Sequence, residues 1–186
     1  HPGVLKMLAM AAENEDTMDY FKKIKIVPVS ISYEYDPTDA LKMPQLMAEA
    51  NQEVYIKEEN EDFKTLLSGI IGQKKRIHIH VGDVLNTELD NLKNEFSNTN
   101  KQVQALAKVI DDSILQSYKL WPTNFIAYDI LNKTTTFSSH YSEEEKMLFE
   151  RRLELKIDVL NSQMRENFLA MYANPVVNKM KYQHAF

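Results

Sequence analysis

Apolar and polar residues change rhythm several times along this chain, and each change marks an element. Between Lys23 and Tyr35 the residues Ile24, Ile26, Val27, Val29 and Ile31 are mostly β-branched, which suits a pleated, half-buried strand. Pro28 interrupts that run. Proline donates nothing to a sheet ladder, so it marks an edge, a bulge or a strand end. Ile77-His-Ile-His-Val-Gly82 alternates with period two and predicts a second strand. Residues 3–11 are strong helix formers in which only Lys6 is charged, which predicts a helix buried against a sheet, with a helix lying close to a membrane surface as the alternative. Helical spacing returns near 40–56, with Leu41, Leu46, Met47 and Ala50 roughly on one face and Asp36 or Thr38 as the cap. Near 60–71 it places Phe63, Leu66, Leu67, Ile70 and Ile71 together, with Gly72 closing the helix. Asn98 to Asn100 is the entry to a helix carrying Val103, Leu106, Ile110 and Ile114. Pro122 after Trp121 opens another near 123–132. Ser142 and Glu145 form a capping box for a long helix to about Ala173, ended by Asn174-Pro175.

The two strands are joined by a long helical connection, which reads as a crossover, so they are expected to be parallel and right-handed. Parallel strands are normally covered on both faces and belong to larger sheets. The expected fold is therefore α/β and helix-rich. Residues 1–85 form the C-terminal part of an α/β core with an incomplete sheet, and residues 86–186 form a helical region packed on it. A stranded sheet edge also offers a route to a homodimer.

Composition removes several classes of function. The chain has 186 residues and a net charge of −5, with both signs well mixed, so no nucleic-acid surface is expected. It contains no cysteine, which excludes a disulfide framework, a thiolate nucleophile and a thiolate zinc site within it. Four glycines are too few for glycine-cradled phosphate loops. No apolar run approaches the roughly 20 residues needed to span a bilayer, and no stretch resembles a signal peptide. The start His1-Pro2-Gly3, without an initiator methionine, reads as a cut within a longer protein.

Among side chains with chemistry, His78 and His80 share one face of the second strand, and with Asp83 or Glu34 they form a two-histidine, one-carboxylate metal set. The competing reading makes them strand residues bonded to backbone, and a metal-dependent hydrolase using His78, His80 and Asp83 is the corresponding alternative function. His78 with Asp83 also fits a His-x4-Asp spacing, and His140 with Glu145 a relaxed version. Positions five apart in a strand point to opposite faces, and Glu145 is better explained by its capping box. Arg151, Arg152, Lys156 and Arg165 read as a solvated helix face laced with ion pairs, with a phosphate or anionic-lipid site as the alternative.

Ile26-Val-Pro-Val-Ser-Ile-Ser-Tyr-Glu34 resembles the fourth conserved block of the glycerol-3-phosphate and lysophosphatidate acyltransferases, a short apolar strand with a central proline. Pro2-Gly-Val-Leu-Lys-Met-Leu8 is similar to the helix after that family's third block, and Arg76-Ile-His-Ile-His-Val-Gly-Asp-Val84 to its later strand. Leu120-Trp-Pro-Thr-Asn-Phe-Ile-Ala-Tyr-Asp129 is similar to a segment that follows the core in bacterial members. The resemblance implies acyl transfer from acyl-CoA or acyl carrier protein to a glycerol-phosphate or lysophospholipid hydroxyl, with no cofactor besides the donor. It implies a cytoplasmic protein peripheral to the inner membrane. It places the His-x4-Asp and phosphate-binding blocks before His1, so no catalytic residue and no metal ligand is assigned within the chain. The fourth block carries over onto Val27, Pro28, Val29 and Ser30, and onto Tyr33 and Glu34, as a wall of the substrate pocket. A non-catalytic helical module that binds a partner or a lipid is the remaining alternative.

Overall fold

Helices dominate the computed structural model, which describes residues 2–158 and 161–183. In chain order the elements are α1 (Gly3–Met10), α2 (Thr17–Ile24), β1 (Val29–Tyr33), a 3-10 segment (Ala40–Lys42), α3 (Met43–Ala50), α4 (Glu61–Ile71) and β2 (Ile77–Val81). Then come α5 (Asn86–Glu95), α6 (Thr99–Ser117), α7 (Pro122–Asn132), a 3-10 segment (Ser138–His140), α8 (Glu143–Lys156) and α9 (Ser162–Gln183). The chain forms two compact units that interleave along the sequence, whereas a division after residue 85 follows chain order. Unit 1 is His1–Ile31 with Ile79–Tyr118; unit 2 is Ser32–His78 with Lys119–Phe186.

The sheet corrects the expected topology. β1 and β2 are antiparallel neighbours, not a parallel crossover pair. Gly82 N–H donates to the Pro28 carbonyl at 2.9 Å, and Glu34 N–H donates to the Arg76 carbonyl at 2.9 Å. Parallel strands require a long connection, but a long connection leaves the direction open. The helices between Glu34 and Arg76 instead form an insertion into a hairpin. The strand also starts later than the apolar run suggests, because Lys23 and Ile24 belong to α2. Pro28 precedes the first strand residue, where it accepts from the ladder without having to donate.

Unit 1 packs α1, α2, α5 and α6 around Met18, Phe21, Leu89, Val103 and Leu106. α2 is set by Asp16, whose carboxylate accepts from Met18 N at 3.0 Å and Asp19 N at 3.2 Å. Asn98 caps α6 through Lys101 N, as its position suggests. α1 is not buried against a sheet: Val4, Met7 and Met10 are exposed, and only Leu5 and Ala9 reach the core. A short surface helix buries one stripe, so an apolar sequence all round leaves the rest in solvent.

Unit 2 is built on α7 and α9, with α8 closing over Phe149, Leu153, Phe168, Leu169 and Tyr172. Pro122 opens α7, and Asn124 Oδ1 accepts from Trp121 N at 2.7 Å. The capping box at Ser142 and Glu145 starts α8, with Glu145 N donating to Ser142 Oγ at 3.1 Å. Three expectations fail here for identifiable reasons. The helix expected near 40–56 is a 3-10 turn followed by α3, because Pro44 favours a helix's first turn, and it stops before Gln52 at φ 58°. The long last helix is two: α8 ends at Lys156, and Asn161 Oδ1 accepts from Met164 N to start α9. Residues 159 and 160, inside the single helix expected there, lie outside the described residues. Pro175 is inside α9 rather than after it. A helix-interior proline costs about 3 kcal/mol, which the burial of Tyr172, Ala173 and Val176 around it offsets.

Candidate functional site

The six residues proposed as a pocket wall do not share one surface. In unit 1, Val27 is half-buried before the strand, Pro28 and Ser30 are buried, and Val29 is exposed. Ser30 Oγ accepts from Ser117 Oγ at 3.0 Å, a contact the sequence does not announce. In unit 2, Glu34 is buried while Tyr33 lies on the exposed side of the strand. The strand is thus inverted relative to a self-contained hairpin. Its polar residues Ser30, Ser32 and Glu34 face inward, while Val29 and Ile31, 43% and 46% accessible, face out. The matching residues of β2, Ile79 and Val81 in unit 1 and Ile77 in unit 2, are also exposed.

Unit 2 gathers the charge. Glu34 Oε2 accepts from Arg76 Nε at 2.6 Å, and Oε1 accepts from Arg76 Nη2 at 2.9 Å and Lys75 Nζ at 2.8 Å. Its carbonyl takes a bond from Thr123 Oγ1 at 2.9 Å, which ties the strand end to the start of α7. Burial pushes the Glu34 carboxyl upward, and the bonds from Arg76 and Lys75 outweigh it, leaving the group below the usual carboxylate range. Arg76 also reaches Glu145 at 3.2 Å and lies over the Trp121 ring. This is an ion-paired strand end. A fully engaged carboxylate of this kind is a poor general base, because protonating it would break three charge-assisted bonds.

A second buried carboxylate lies in the same unit. Asp39 Oδ2 accepts from Arg152 Nη2 at 2.7 Å, from Arg152 Nε at 3.0 Å and from Tyr172 OH at 2.9 Å, while Oδ1 takes Ala40 N at 2.8 Å. Burial, followed by the Asp39 charge, drives the Tyr172 hydroxyl far above its ordinary range, so it stays a donor. Tyr35 lies beneath two cations, with Arg152 4.4 Å and Lys75 5.3 Å from its ring centre. Beside these groups opens a pocket of about 500 Å³ whose wall includes Tyr35, Lys75, Arg151, Arg152 and Lys156. Gly72 also borders it; a Cβ there would collide with the Ser68 carbonyl oxygen and come within 2.7 Å of the Pro37 Cβ, so the close approach of both explains the glycine. Its φ of −64° is ordinary, and it closes α4 without a left-handed turn.

The other sequence candidates separate. His78 belongs to unit 2, and His80 and Asp83 to unit 1. His78 lies opposite Ser32 on the ladder, and its Nδ1 and the Ser32 Oγ are buried without hydrogen-bond partners among the described residues. The backbone bond expected for that ring is therefore not made at Nδ1. Among the described residues no group of three His, Asp or Glu side chains is arranged to hold a metal. His140 packs edge-to-face against Phe125 with ring centres 4.5 Å apart, and Glu145 is held by Ser142 and Arg76. Compared with known proteins, the chain matches no family model, no curated protein and no solved structure. The geometry must therefore be read on its own chemistry.

On that basis the groups that sequence reasoning missed are Tyr35, Asp39 and Tyr172. The signal for Asp39 was present only as one of several acids near the start of a helix. Arg151, Arg152 and Lys156 were noticed as a charged face, and the structure divides them. Arg152 is taken up by Asp39, while Arg151 and Lys156 form no ion pair among the described residues. No helix among the described residues is long and apolar enough to cross a membrane.

Proposed function

We propose that this chain is the C-terminal portion of an acyltransferase that moves an acyl chain from acyl-CoA or acyl carrier protein to a glycerol-phosphate hydroxyl in phospholipid synthesis. The observation that carries the reading is the stretch Ile26–Glu34, whose proline-interrupted strand keeps the order of the family's fourth block relative to the segments at 76–84 and 120–129. The inverted strand supports it. An apolar outer face on both β1 and β2 suits a strand pair that is one part of a larger α/β core. On this reading Pro28 and Ser30 shape the wall, Glu34 locks the strand end through Arg76, and the acid–base pair comes from residues outside the chain.

Peripheral attachment to a membrane has a specific candidate in α4. Phe63, Leu66, Leu67, Ile70 and Ile71 repeat at helical spacing and are all exposed, with Ile71 74% accessible. No residue of this helix is buried. The same face equally suits the alternative of a helical lipid-binding module without catalysis. The two readings separate in one assay with acyl-CoA and glycerol-3-phosphate. The 186-residue chain alone is expected to give no transfer, and the longer reading frame, extended through an upstream His-x4-Asp block, is expected to turn over. A frame that lacks such a block, or whose His→Ala variant is as active as the parent, sinks the acyltransferase reading. Binding to vesicles with no turnover by the long form would favour the module.

A further inference from the structure

α4 is packed with its faces reversed. Its large apolar residues Phe63, Leu66, Leu67, Ile70 and Ile71 are all exposed, from 43% to 74% accessible. The side turned inward carries Thr65, Ser68, Gly69 and Gly72, each half-buried. That small side rests on the turn after β1. A Cβ on Gly69 would lie 3.9 Å from Thr38 Cγ2, and one on Gly72 would come within 2.7 Å of the Pro37 Cβ. A surface helix ordinarily turns its apolar stripe to the core. Here the stripe recurs at every position that helical spacing allows and points away from the core. Its five residues present roughly 550 Å², taking about 180 Å² for each when whole, a value within the range for large side chains. Monomers rarely leave so large an apolar patch uncovered. It is also about two-thirds of the roughly 800 Å² that each partner contributes to a stable interface.

Charge selects the occupant. Around the helix start stand four acids, Glu58, Glu59, Glu61 and Asp62, against two lysines, Lys57 and Lys64. From Ser68 through Arg76 there is no acid, and Lys74, Lys75 and Arg76 follow the helix end. Lys75 and Arg76 are engaged by Glu34. Lys74 donates to the carbonyls of Ile70 and Gly72 at 2.9 and 3.1 Å and keeps its charge without an ion pair among the described residues. Signs in this order suit the dipole of a single helix. Laid antiparallel on an identical helix, they also match across the contact, acidic start against basic end, at both ends at once. A twofold interface requires such self-complementarity, because each copy offers the same patch. A lipid surface fits less well. Interfacial helices carry Lys and Arg on their polar face, whereas α4 sets the single Lys64 beside Glu61 and Asp62.

We infer that α4 is a homodimer interface, pairing antiparallel across a twofold axis with α4 of a second copy. Leu66 and Leu67 lie at the axis, Phe63 of each copy meets Ile70 and Ile71 of the other, and the charged ends flank the contact. Acyl transfer plays no part in this pairing, which gives to a protein partner the face that apolarity alone offered to a membrane.

The test is sedimentation equilibrium of the 186-residue chain and of the longer reading frame, both free of lipid and detergent. The mean mass of each is expected to rise toward twice that of one copy as concentration increases through the micromolar range. Leu66→Lys places a charge at the axis and should weaken association at least tenfold. It should leave the circular dichroism spectrum unchanged, since that side chain is 63% accessible. The chain has no cysteine, so disulfide formation reports the orientation cleanly. A mixture of the Asp62→Cys and Gln73→Cys variants should crosslink one to the other faster than either crosslinks with itself. A monomer at every concentration overturns the inference, as does a dimer that Leu66→Lys leaves intact. A short chain that dimerises while the longer frame stays monomeric also overturns it, and assigns the face to a segment outside these 186 residues. So does a lipid-free monomer that binds vesicles of phosphatidylcholine and phosphatidylglycerol, which assigns the face to a membrane. Faster self-crosslinking of either cysteine variant overturns the antiparallel pairing.

Discussion

Arg151 and Arg152 are adjacent in sequence and opposite in circumstance. Arg152 is 11% accessible, donates two bonds to Asp39 and lies over Tyr35. Arg151 lines the open pocket and forms no ion pair among the described residues. One is a structural cation, whose charge was settled when the chain folded. The other is a charge still available to something else. The difference teaches that a run of basic residues on a helix states nothing about function until each partner is known. Where an acid is buried opposite, the pair specifies the fold; where none is, the charge is presented outward.

The comparison breaks first at Arg152. Replacing it by alanine leaves Asp39 buried with Tyr172 and Ala40 N but without its cation. Removing one member of a buried pair costs about 3–5 kcal/mol, so Arg152→Ala should lower the urea midpoint by more than any surface variant of α8. The double variant Arg152→Leu with Asp39→Asn should recover much of that loss, because an apolar and a neutral group need no counter-charge. No recovery would mean that packing on Tyr35, rather than charge, is what Arg152 supplies.

Gly72 tests the same wall from the other side. A Cβ there would press on the Ser68 carbonyl oxygen as well as on Pro37, and overpacking typically costs about 1–3 kcal/mol. Gly72→Ala is therefore expected to destabilise thermally by less than Arg152→Ala. An alanine variant with wild-type stability would show that Pro37 and the last turn of α4 both move aside freely and that the pocket rim is soft.

Acid separates the Glu34 centre from the open charges. Glu34 titrates below its ordinary range in the folded chain, while an unfolded glutamate titrates near about 4.3. In the interval between those values the unfolded state binds the extra proton. The stabilisation is therefore complete above the unfolded value and is lost as pH falls through the folded one. Urea midpoints of the parent should decline as pH drops below about 4.3, and Glu34→Gln should show a shallower decline from a lower starting stability. An identical pH slope in both proteins would remove Glu34 from the account of acid sensitivity.

How much of this could be read in advance depended on the range of each interaction. Caps and helix starts were legible at Asn98, Pro122 and Ser142, because their partners lie within three residues in the chain. The strands were legible as strands, but their direction was not, since it is set by the bonds Pro28 makes with Gly82 and Glu34 makes with Arg76. Tyr33 and Glu34 were both assigned to one pocket wall, yet adjacent strand residues point to opposite faces, and only tertiary packing decides which face is buried. The apolar one is usual, and here it is Glu34 that is inside. α4 and α8 show the same limit in helices. Both carry apolar stripes; Phe149 and Leu153 of α8 are buried and Phe63 and Ile70 of α4 are not. Periodicity identifies a face that needs covering, and tertiary contacts decide whether it is covered. Pro175 was read as a stop because local preference favours that, and packing of Val176 overrode it.

The smallest expected effect is the sharpest test of the contrast between Arg151 and Arg152. Arg151→Ala removes an exposed side chain that makes no ion pair among the described residues, and surface substitutions of this kind usually change stability by less than about 0.5 kcal/mol. Its urea midpoint should therefore coincide with the parent's, and its effect should add to that of Arg152→Ala without coupling. Direct repulsion between two like charges on a helix surface amounts to roughly 0.2–0.5 kcal/mol, so a larger coupling would have to pass through a shared partner. A coupling clearly above the usual additivity error of about 0.5 kcal/mol would show that the two arginines share Asp39 after all. Arg151 would then be part of the closed charge centre rather than a free charge.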